Sequence, residues 1–341
     1  MSELGTAVTV DVRPYVDADE PEVLDLLMSS MGEGPAGGRT SEFFRWKHVH
    51  NPFGRSFMLV AEADGRIVGL RAFMRWGFAV GGEALNAVRA VDTATHPDYR
   101  RLGIFSRLTA RALDDLVEEA DLVFNTPNEK SLPGYLKLGW EVVGKVPFCI
   151  RPMRPVAFAS RIRSRKSGGA SDARPSLEAT RAAVLLQHGL EVDWLLERAV
   201  HEDRRFRTLR SVSFLRWRYA ETPFDYRAVV SEGEEGLNGF AIFRVRPRGR
   251  LWETTVSELV VDPFAGHEVR RQLLMAVAQA SSVDHISVAS PHGEAAVLAR
   301  SGFLPSPASI TLVAKPLRGH LPADVTAKKN WALSLGDIEV F

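Results

Sequence analysis

Cysteine is almost missing from this 341-residue chain, where Cys149 stands alone. One thiol excludes a disulfide within the chain and leads to the expectation of a reducing, cytoplasmic setting. Following Phe148, it reads as a small buried hydrophobe rather than a nucleophile. Also missing is an excess of charge of one sign. Lys and Arg number 43 and Asp and Glu 42, a formal net charge of +1, which removes the electrostatic footprint expected of a nucleic-acid-binding protein. No apolar run is long enough to span a bilayer, and the polar, acidic start Met1–Asp19 lacks the apolar core of a signal peptide. No membrane partner is therefore expected. The nine histidines show no ligand spacing with carboxylates or thiolates, so no metal is expected either.

What is present is enough apolar material for real cores, 45% of residues, over a length that suggests two domains. One stretch organises the rest. Val88–Thr95 is strand-forming, and the run breaks at His96-Pro97. It then turns through Arg100-Arg101-Leu102-Gly103-Ile104-Phe105 into a helix whose apolar face is Leu108, Ala112, Leu113, Leu116 and Val117. A basic, glycine-containing turn at a helix N-terminus suits an anion, because the first N–H groups lack acceptors and the helix dipole favours negative charge there. A buried-type strand, Leu122-Val123-Phe124, follows. After it come Asn125-Thr126-Pro127-Asn128 and a helical piece ending Tyr135-Leu136-Lys137-Leu138-Gly139-Trp140.

Upstream, Thr9–Arg13 alternates as a first strand. Asp17 or Asp19 caps a helix with Pro21 in its first turn and Val23, Leu24, Leu27 and Met28 inward. Gly32–Gly38 reads as a surface loop. Ser41 is expected to cap a helix bearing Phe43, Phe44 and Trp46, and Phe57–Ala63 with Arg66–Trp76 form a hairpin through Asp64-Gly65.

Over about residues 5–150 these features resemble the GNAT acyltransferase superfamily. Its phosphate loop, Arg/Gln-x-x-Gly-x-Gly/Ala, is matched by Arg100-x-x-Gly103 with Phe105 in the third fixed position. Its later Tyr-x-x-x-Gly-Phe is matched by Tyr135-x-x-x-Gly139-Trp140. The resemblance implies acyl transfer from acetyl-CoA or another acyl-CoA to a small amine. In that reading Arg101, Leu102, Gly103, Ile104, Phe105 and Ser106 offer N–H groups to the diphosphate, and Arg100 and Arg101 add charge. The edge at Thr93, Ala94 and Thr95 pairs with the pantetheine amides, and Asn128 bonds pantetheine or substrate. That strand carries a bulge and splays from the next. Tyr135 donates a proton to the departing thiolate, while Asp92, with His96 as the other candidate, is placed to accept one from the amine.

The chain then repeats. Phe43-Phe44-Arg45-Trp46-Lys47 with Pro52-Phe53 returns as Phe214-Leu215-Arg216-Trp217-Arg218 with Pro223-Phe224. Gly69, Pro97, Pro127 and Gly139 find counterparts in Gly239, Pro263, Pro291 and Gly302. The expected fold is α/β (α+β): two tandem GNAT-like domains, each a mixed, mostly antiparallel sheet flanked by helices. The first spans 1–155, a basic linker 156–176, the second 177–318 and a docking tail 319–341. The second copy has Asp262–Val269, with Glu268, in place of the arginine-rich turn, and Leu298 in place of Tyr135. It is expected to pack on the first and shape its cleft. The Arg-Trp-Lys/Arg repeats read as structural, and His48 and His50 as weaker substrate-side candidates. Asp337 or Glu339 of the tail either faces the amine or simply docks. Because the copies stand in for a homodimer, a monomer or weak dimer is expected. Doubled architecture also resembles Fem-type transferases, which implies a charged tRNA as donor. The near-neutral charge counts against that reading. A non-catalytic CoA-binding scaffold is disfavoured by Tyr135 and the Arg100/Gly103 turn.

Overall fold

The computed structural model describes residues 9–34, 38–163, 175–200, 204–234, 236–291, 294–306 and 308–339. Its first half contains β1 (Asp11–Pro14), α1 (Glu20–Met31), α2 (Ser41–His48), β2 (Phe57–Ala63), β3 (Arg66–Val80), β4 (Glu83–Thr95), α3 (Ile104–Leu116), β5 (Leu122–Asn125), α4 (Leu132–Lys137), β6 (Glu141–Val146), β7 (Phe148–Pro152) and α5 (Pro155–Arg163). The second contains β8 (Thr180–Arg181), α6 (Ala182–Leu185), α7 (Gly189–Val200), β9 (Arg207–Thr208), α8 (Val212–Tyr219), β10 (Tyr226–Gly233), β11 (Gly236–Arg248), β12 (Leu251–Val261), α9 (Gly266–Ala280), β13 (His285–Ala289), α10 (Ala295–Arg300), β14 (Leu304–Pro305), β15 (Ile310–Pro316) and α11 (Leu335–Ile338).

The hairpin β2–β3 turns at Asp64 and Gly65, both at positive φ (52° and 71°), as a tight primed turn requires. β3 then runs beyond Trp76 to Val80, and Gly81-Gly82 makes the next turn. Thr40, not Ser41, caps α2: its hydroxyl accepts from the Phe43 N–H at 3.2 Å. The first strand is displaced to Asp11–Pro14. Part of the expected linker is helical, since α5 covers its start, and its residues 164–174 lie outside the described residues, as do 35–37 of the glycine-rich loop.

The strands order as β1-β2-β3-β4-β5-β15-β6 in the first sheet and β14-β7-β13-β12-β11-β10-β8 in the second, with β9 added against β3. Three strands therefore cross the expected division of the chain, the short β9 and two that lie inside the sheets. β7 pairs antiparallel with β13 in the second sheet, and β15 lies between β5 and β6 in the first. Each half takes its penultimate strand from the other. An edge of exposed N–H and C=O groups is a liability that this lacing covers.

The duplication is visible at the seam. Trp46 on α2 donates its indole N–H to the Trp217 carbonyl at 2.8 Å, and Trp217 on α8 donates to the Trp46 carbonyl at 2.8 Å. The rings stack at 5.2 Å. Both close helix–sheet approaches repeat as well. A Cβ on Gly69 would sit 2.6 Å from Ile104 of α3, and one on Gly239 would sit 3.1 Å from Leu273 of α9. One core lies between the first sheet and α3, a second between the other sheet and α9, and the largest is shared by both halves at the seam. The tail joins that shared core through Trp331, Leu333, Leu335 and Ile338.

Because the tryptophan bonds are reciprocal, Trp46→Phe and Trp217→Phe are expected to destabilise the protein by similar amounts. Each leaves one buried carbonyl unpaired, at a cost of about 1–3 kcal/mol. Urea unfolding of the two variants checks this, and a cost confined to one of them would remove the equivalence.

Candidate active site

β4 and β5 run parallel only from Ala87↔Leu122 to Arg89↔Phe124. β4 continues to Thr95 while β5 ends at Asn125, so the segment after Arg89 parts from its neighbour. On its other side β4 pairs with β3, but Arg71 faces Thr93 and Phe73 faces Ala90. Val91 and Asp92 thus stand opposite the single residue Ala72, a one-residue bulge. The bulge turns both Val91 and Asp92 toward α1 and α2, and sends Thr93 to the face covered by α3 and α4.

At the end of β4, His96 Nδ1 accepts a bond from the Asp98 N–H at 3.3 Å and the residue begins a short turn, so that nitrogen is used locally. Arg101 and Gly103 both take positive φ (69° and 73°), which aims the chain into α3. No side chain caps α3, and its first turn holds no acidic residue. Arg100, Arg101, Leu102, Gly103 and Ser106 are exposed, Ile104 is buried and Phe105 half-buried. Neither Arg100 nor Arg101 makes an ion pair among the described residues. The result is an open helix N-terminus under two uncompensated cations.

Phe105 finds room because α4 carries Gly134, whose Cβ would lie 3.1 Å from the ring. The ring packs edge-on to Tyr135 at 5.7 Å, so its bulk rests on α4. Tyr135 is buried, and Trp140 flanks it on another side at 5.2 Å. Its hydroxyl accepts from Arg71 Nη1 at 3.0 Å. An oxygen that accepts from a guanidinium keeps its own proton free to point elsewhere.

Arg71 was not singled out from the sequence. It is fully buried, with its guanidinium over the rings of Phe73 (4.4 Å), Tyr135 (5.3 Å) and Phe105 (5.5 Å). Nη1 also donates to the Thr93 hydroxyl, while Nε and Nη2 have no hydrogen-bond partner. Burial pushes the guanidinium down from its ordinary range, and the contact with Tyr135 opposes that. A buried cation with no carboxylate beside it is costly. The signal for it was an arginine inside the otherwise apolar run Val68–Met74. Ala94 is buried in β4, and Thr95 offers its carbonyl to the Ser30 hydroxyl at 3.2 Å. Asn128 turns its side-chain oxygen to the N–H groups of Lys130 and Ser131 (3.0 and 2.9 Å), building the turn before α4.

Asp92 lies apart from this group. It is buried and accepts from Lys47 Nζ at 2.7 Å, with His48 Nε2 at 2.9 Å and Arg39 at 3.8 Å. His48 Nδ1 in turn meets the Ser56 hydroxyl at 2.9 Å. Burial pushes the Asp92 carboxyl up, but Lys47 and His48 outweigh it and hold it below the usual carboxylate range. Burial pushes both Lys47 and His48 down. A carboxylate so depressed and so fully engaged is a poor proton acceptor, which counts against Asp92 as the base. The second half repeats the device. β12 bulges between Val256 and Glu258, and the Tyr219 hydroxyl donates to Glu258 at 2.7 Å, as His48 meets Asp92 in the first half. A carboxylate clamp present in both copies anchors the bulge to the helix beside it.

The tail docks rather than hanging free. Asp337 is buried on Arg210 at 2.9 Å, in the second half. The Glu339 carboxylate accepts from Arg246 at 2.6 Å, Tyr226 at 3.0 Å and Arg244. Arg89 of β4 reaches over to the Ile338 carbonyl at 2.8 Å, and Arg218 to that of Gly336 at 2.9 Å. Of the two acids, Glu339 is the one that lines a small cavity with Lys47, Arg89 and Val91. Among the described residues no cluster of His, Cys, Asp and Glu could hold a metal, and no helix is long and apolar enough to cross a membrane.

Residues 11–143 match the family model described as an acetyltransferase (GNAT) domain. No curated protein matches the chain. Among solved structures, the fold is similar to a conserved protein of unknown function from Enterococcus faecalis V583, described as a probable N-acyltransferase. The identity is 14%, over 91% of this chain and 73% of that one, with a TM-score of 0.65. It is also similar to GCN5-related N-acetyltransferases from Kribbella flavida (16%, 91% and 71%, 0.60) and Anabaena variabilis ATCC 29413 (13%, 91% and 73%, 0.64). At these identities the likeness is one of fold, and it extends over both halves.

The Asp92 clamp carries a pH signature. Its folded pKa lies below the unfolded value of about 3.9, so between the two the unfolded chain binds more protons and stability rises with pH. The contribution is complete above about pH 5 and is lost as the pH falls toward the folded value. Asp92→Asn should cost about 3–5 kcal/mol at pH 7 by stranding Lys47. Between pH 4 and pH 3 it should lose about 1 kcal/mol less stability than the parent. Equal losses over that interval, in denaturant titrations, would show that Asp92 is not held as an ion.

Proposed function

With a GNAT acetyltransferase domain over residues 11–143 as the premise, we propose that the protein is an N-acyltransferase that moves an acetyl or related acyl group from acyl-CoA to a small primary amine, in one complex of both substrates. The observation that carries this reading is the coincidence, on one face, of three features: a strand freed from its neighbour by a bulge and a splay, an uncapped helix N-terminus under Arg100 and Arg101, and a buried tyrosine whose oxygen is engaged by Arg71. Acyl-CoA, when bound, supplies an activated thioester.

The chain's own residues do the rest. The N–H groups of the first turn of α3, with the charges of Arg100 and Arg101, suit a diphosphate. The free edge of β4 after Arg89 suits the amides of a pantetheine arm, as an added strand would. The Tyr135 hydroxyl, with its oxygen fixed by Arg71, is oriented to pass its proton to a leaving sulfur. A phenol (about 10) and a thiol (about 8.5) are close enough in acidity for that exchange. The negative charge left on the phenol would then lie 3.0 Å from the unpaired cation of Arg71. Asp92 is assigned to holding the bulge, and the amine's proton to water.

A thiol-release assay with acetyl-CoA against a broad panel of amines tests the activity. Tyr135→Phe should lower kcat by about 100-fold or more, with the KM for acyl-CoA changed only a few-fold. Arg71→Met should lower kcat in the same direction without removing CoA binding. Full turnover in Tyr135→Phe would take that hydroxyl out of the reaction, and no thiol release with any amine would leave the reading without its reaction.

A further inference from the structure

We propose that the crossing of the exchanged strands forms a binding site for a single-chain fatty carboxylate, separate from the site above and not dependent on its function. Four strands end or turn here: β6 passes through Pro147 into β7, and β14 leads to β15. The crossing is stitched by the Ser290 N–H to the Pro147 carbonyl and the Ser306 N–H to the Phe148 carbonyl, each at 3.0 Å. Between them lies a cavity of about 560 Å³. Its walls are apolar, chiefly Val143, Val146, Phe148, Leu312, Trp331 and Leu333. Three of the backbone positions lining it, Pro147, Pro291 and Pro305, carry no N–H, so the lining offers few donors.

The cavity is open to solvent on one side, and its volume is that of a ligand pocket rather than a packing defect. The remaining charged lining residues are Lys145, Lys328 and Lys329, with no Asp or Glu among them. Lys145 Nζ donates to the Thr311 hydroxyl at 2.8 Å, a neutral partner. The stem of Lys328 crosses Gly144, where a Cβ would lie 3.2 Å away and φ is +140°, so the glycine admits the lysine to the cavity. Lys328 and Lys329 are exposed, and none of the three makes an ion pair among the described residues. The Lys329 charge is shared with Asp324 outside the lining, which leaves Lys145 and Lys328 at the rim. An apolar chamber with two such ammonium groups fits an apolar chain that ends in a carboxylate. A neutral chain would gain only the burial, and a cationic one would be repelled.

The test is calorimetric titration of the full-length protein with dodecanoate, alongside dodecanol and dodecyltrimethylammonium as matched neutral and cationic chains. Saturable binding of one dodecanoate is expected, at least tenfold tighter than dodecanol, with no binding of the cation. Lys145→Glu combined with Lys328→Glu should weaken it at least tenfold, and Leu312→Trp, which fills the chamber, should abolish it. The only thiol, Cys149, lines the same cavity, so bound dodecanoate should slow its reaction with a small thiol reagent several-fold. Absence of saturable binding overturns the proposal, as do equal affinities for dodecanoate and dodecanol. Equal affinity in the charge-reversed variant also overturns it, and that result stands on exposed residues even if Leu312→Trp does not fold.

Discussion

Each half of the molecule lacks one strand of its own sheet and is completed by the other half. That constraint governs the rest. β15 must reach across to lie between β5 and β6, and β7 must reach back to pair with β13. The two sheets are therefore held at a fixed relation, with α2 and α8 pressed together between them. The reciprocal tryptophan bonds satisfy buried carbonyls on both sides and leave no sliding freedom at the contact. The largest core belongs to neither half alone. The tail follows from the same geometry, because its path runs over the shared core and ends against residues of both copies.

Buried cations organise the interior on this frame, each in a different way. Lys47 is matched to Asp92 and fastens a bulge to a helix. Arg89 has no carboxylate as its direct partner and spends its donors on backbone carbonyls of the tail. Arg71 is left with two unpaired nitrogens, Nε and Nη2, beside a tyrosine. Arg89 keeps one unpaired donor, Nε, whereas the two of Arg71 lie beside the part of β4 that parts from β5. Residue type alone does not separate these arrangements, since all three are cations on strands or helices of the same half.

The two-copy architecture, the hairpin, the organising turn and the face of α3 were legible because they rest on local rules: period, turn chemistry and repeated spacing. Gly69 and Gly239 were legible as counterparts, though not as the points where a helix meets the sheet. The strand exchange was hidden, since nothing local in Phe148–Pro152 or Ile310–Pro316 says which neighbour a strand will choose. The roles of Asp92 and Arg71 were hidden for the same reason: each depends on a residue at least 22 positions away, Lys47 or His48 for one and Thr93 or Tyr135 for the other. A charged residue inside an apolar strand was the available clue, and it pointed to Arg71 and Arg89 as much as to Asp92. The tail's apolar spacing did announce docking, but its acids meet arginines of the second half rather than open space.

The lacing has a bearing on ancestry. A gene that doubles can ordinarily shed whichever copy loses its purpose. Here the copy without the arginine-rich turn and the tyrosine also supplies the strand between β5 and β6, so its removal would open the other copy beside the very strand that ends at Asn125. With these segments exchanged, neither half can be removed without opening the other's sheet, so the two can only be kept or lost together.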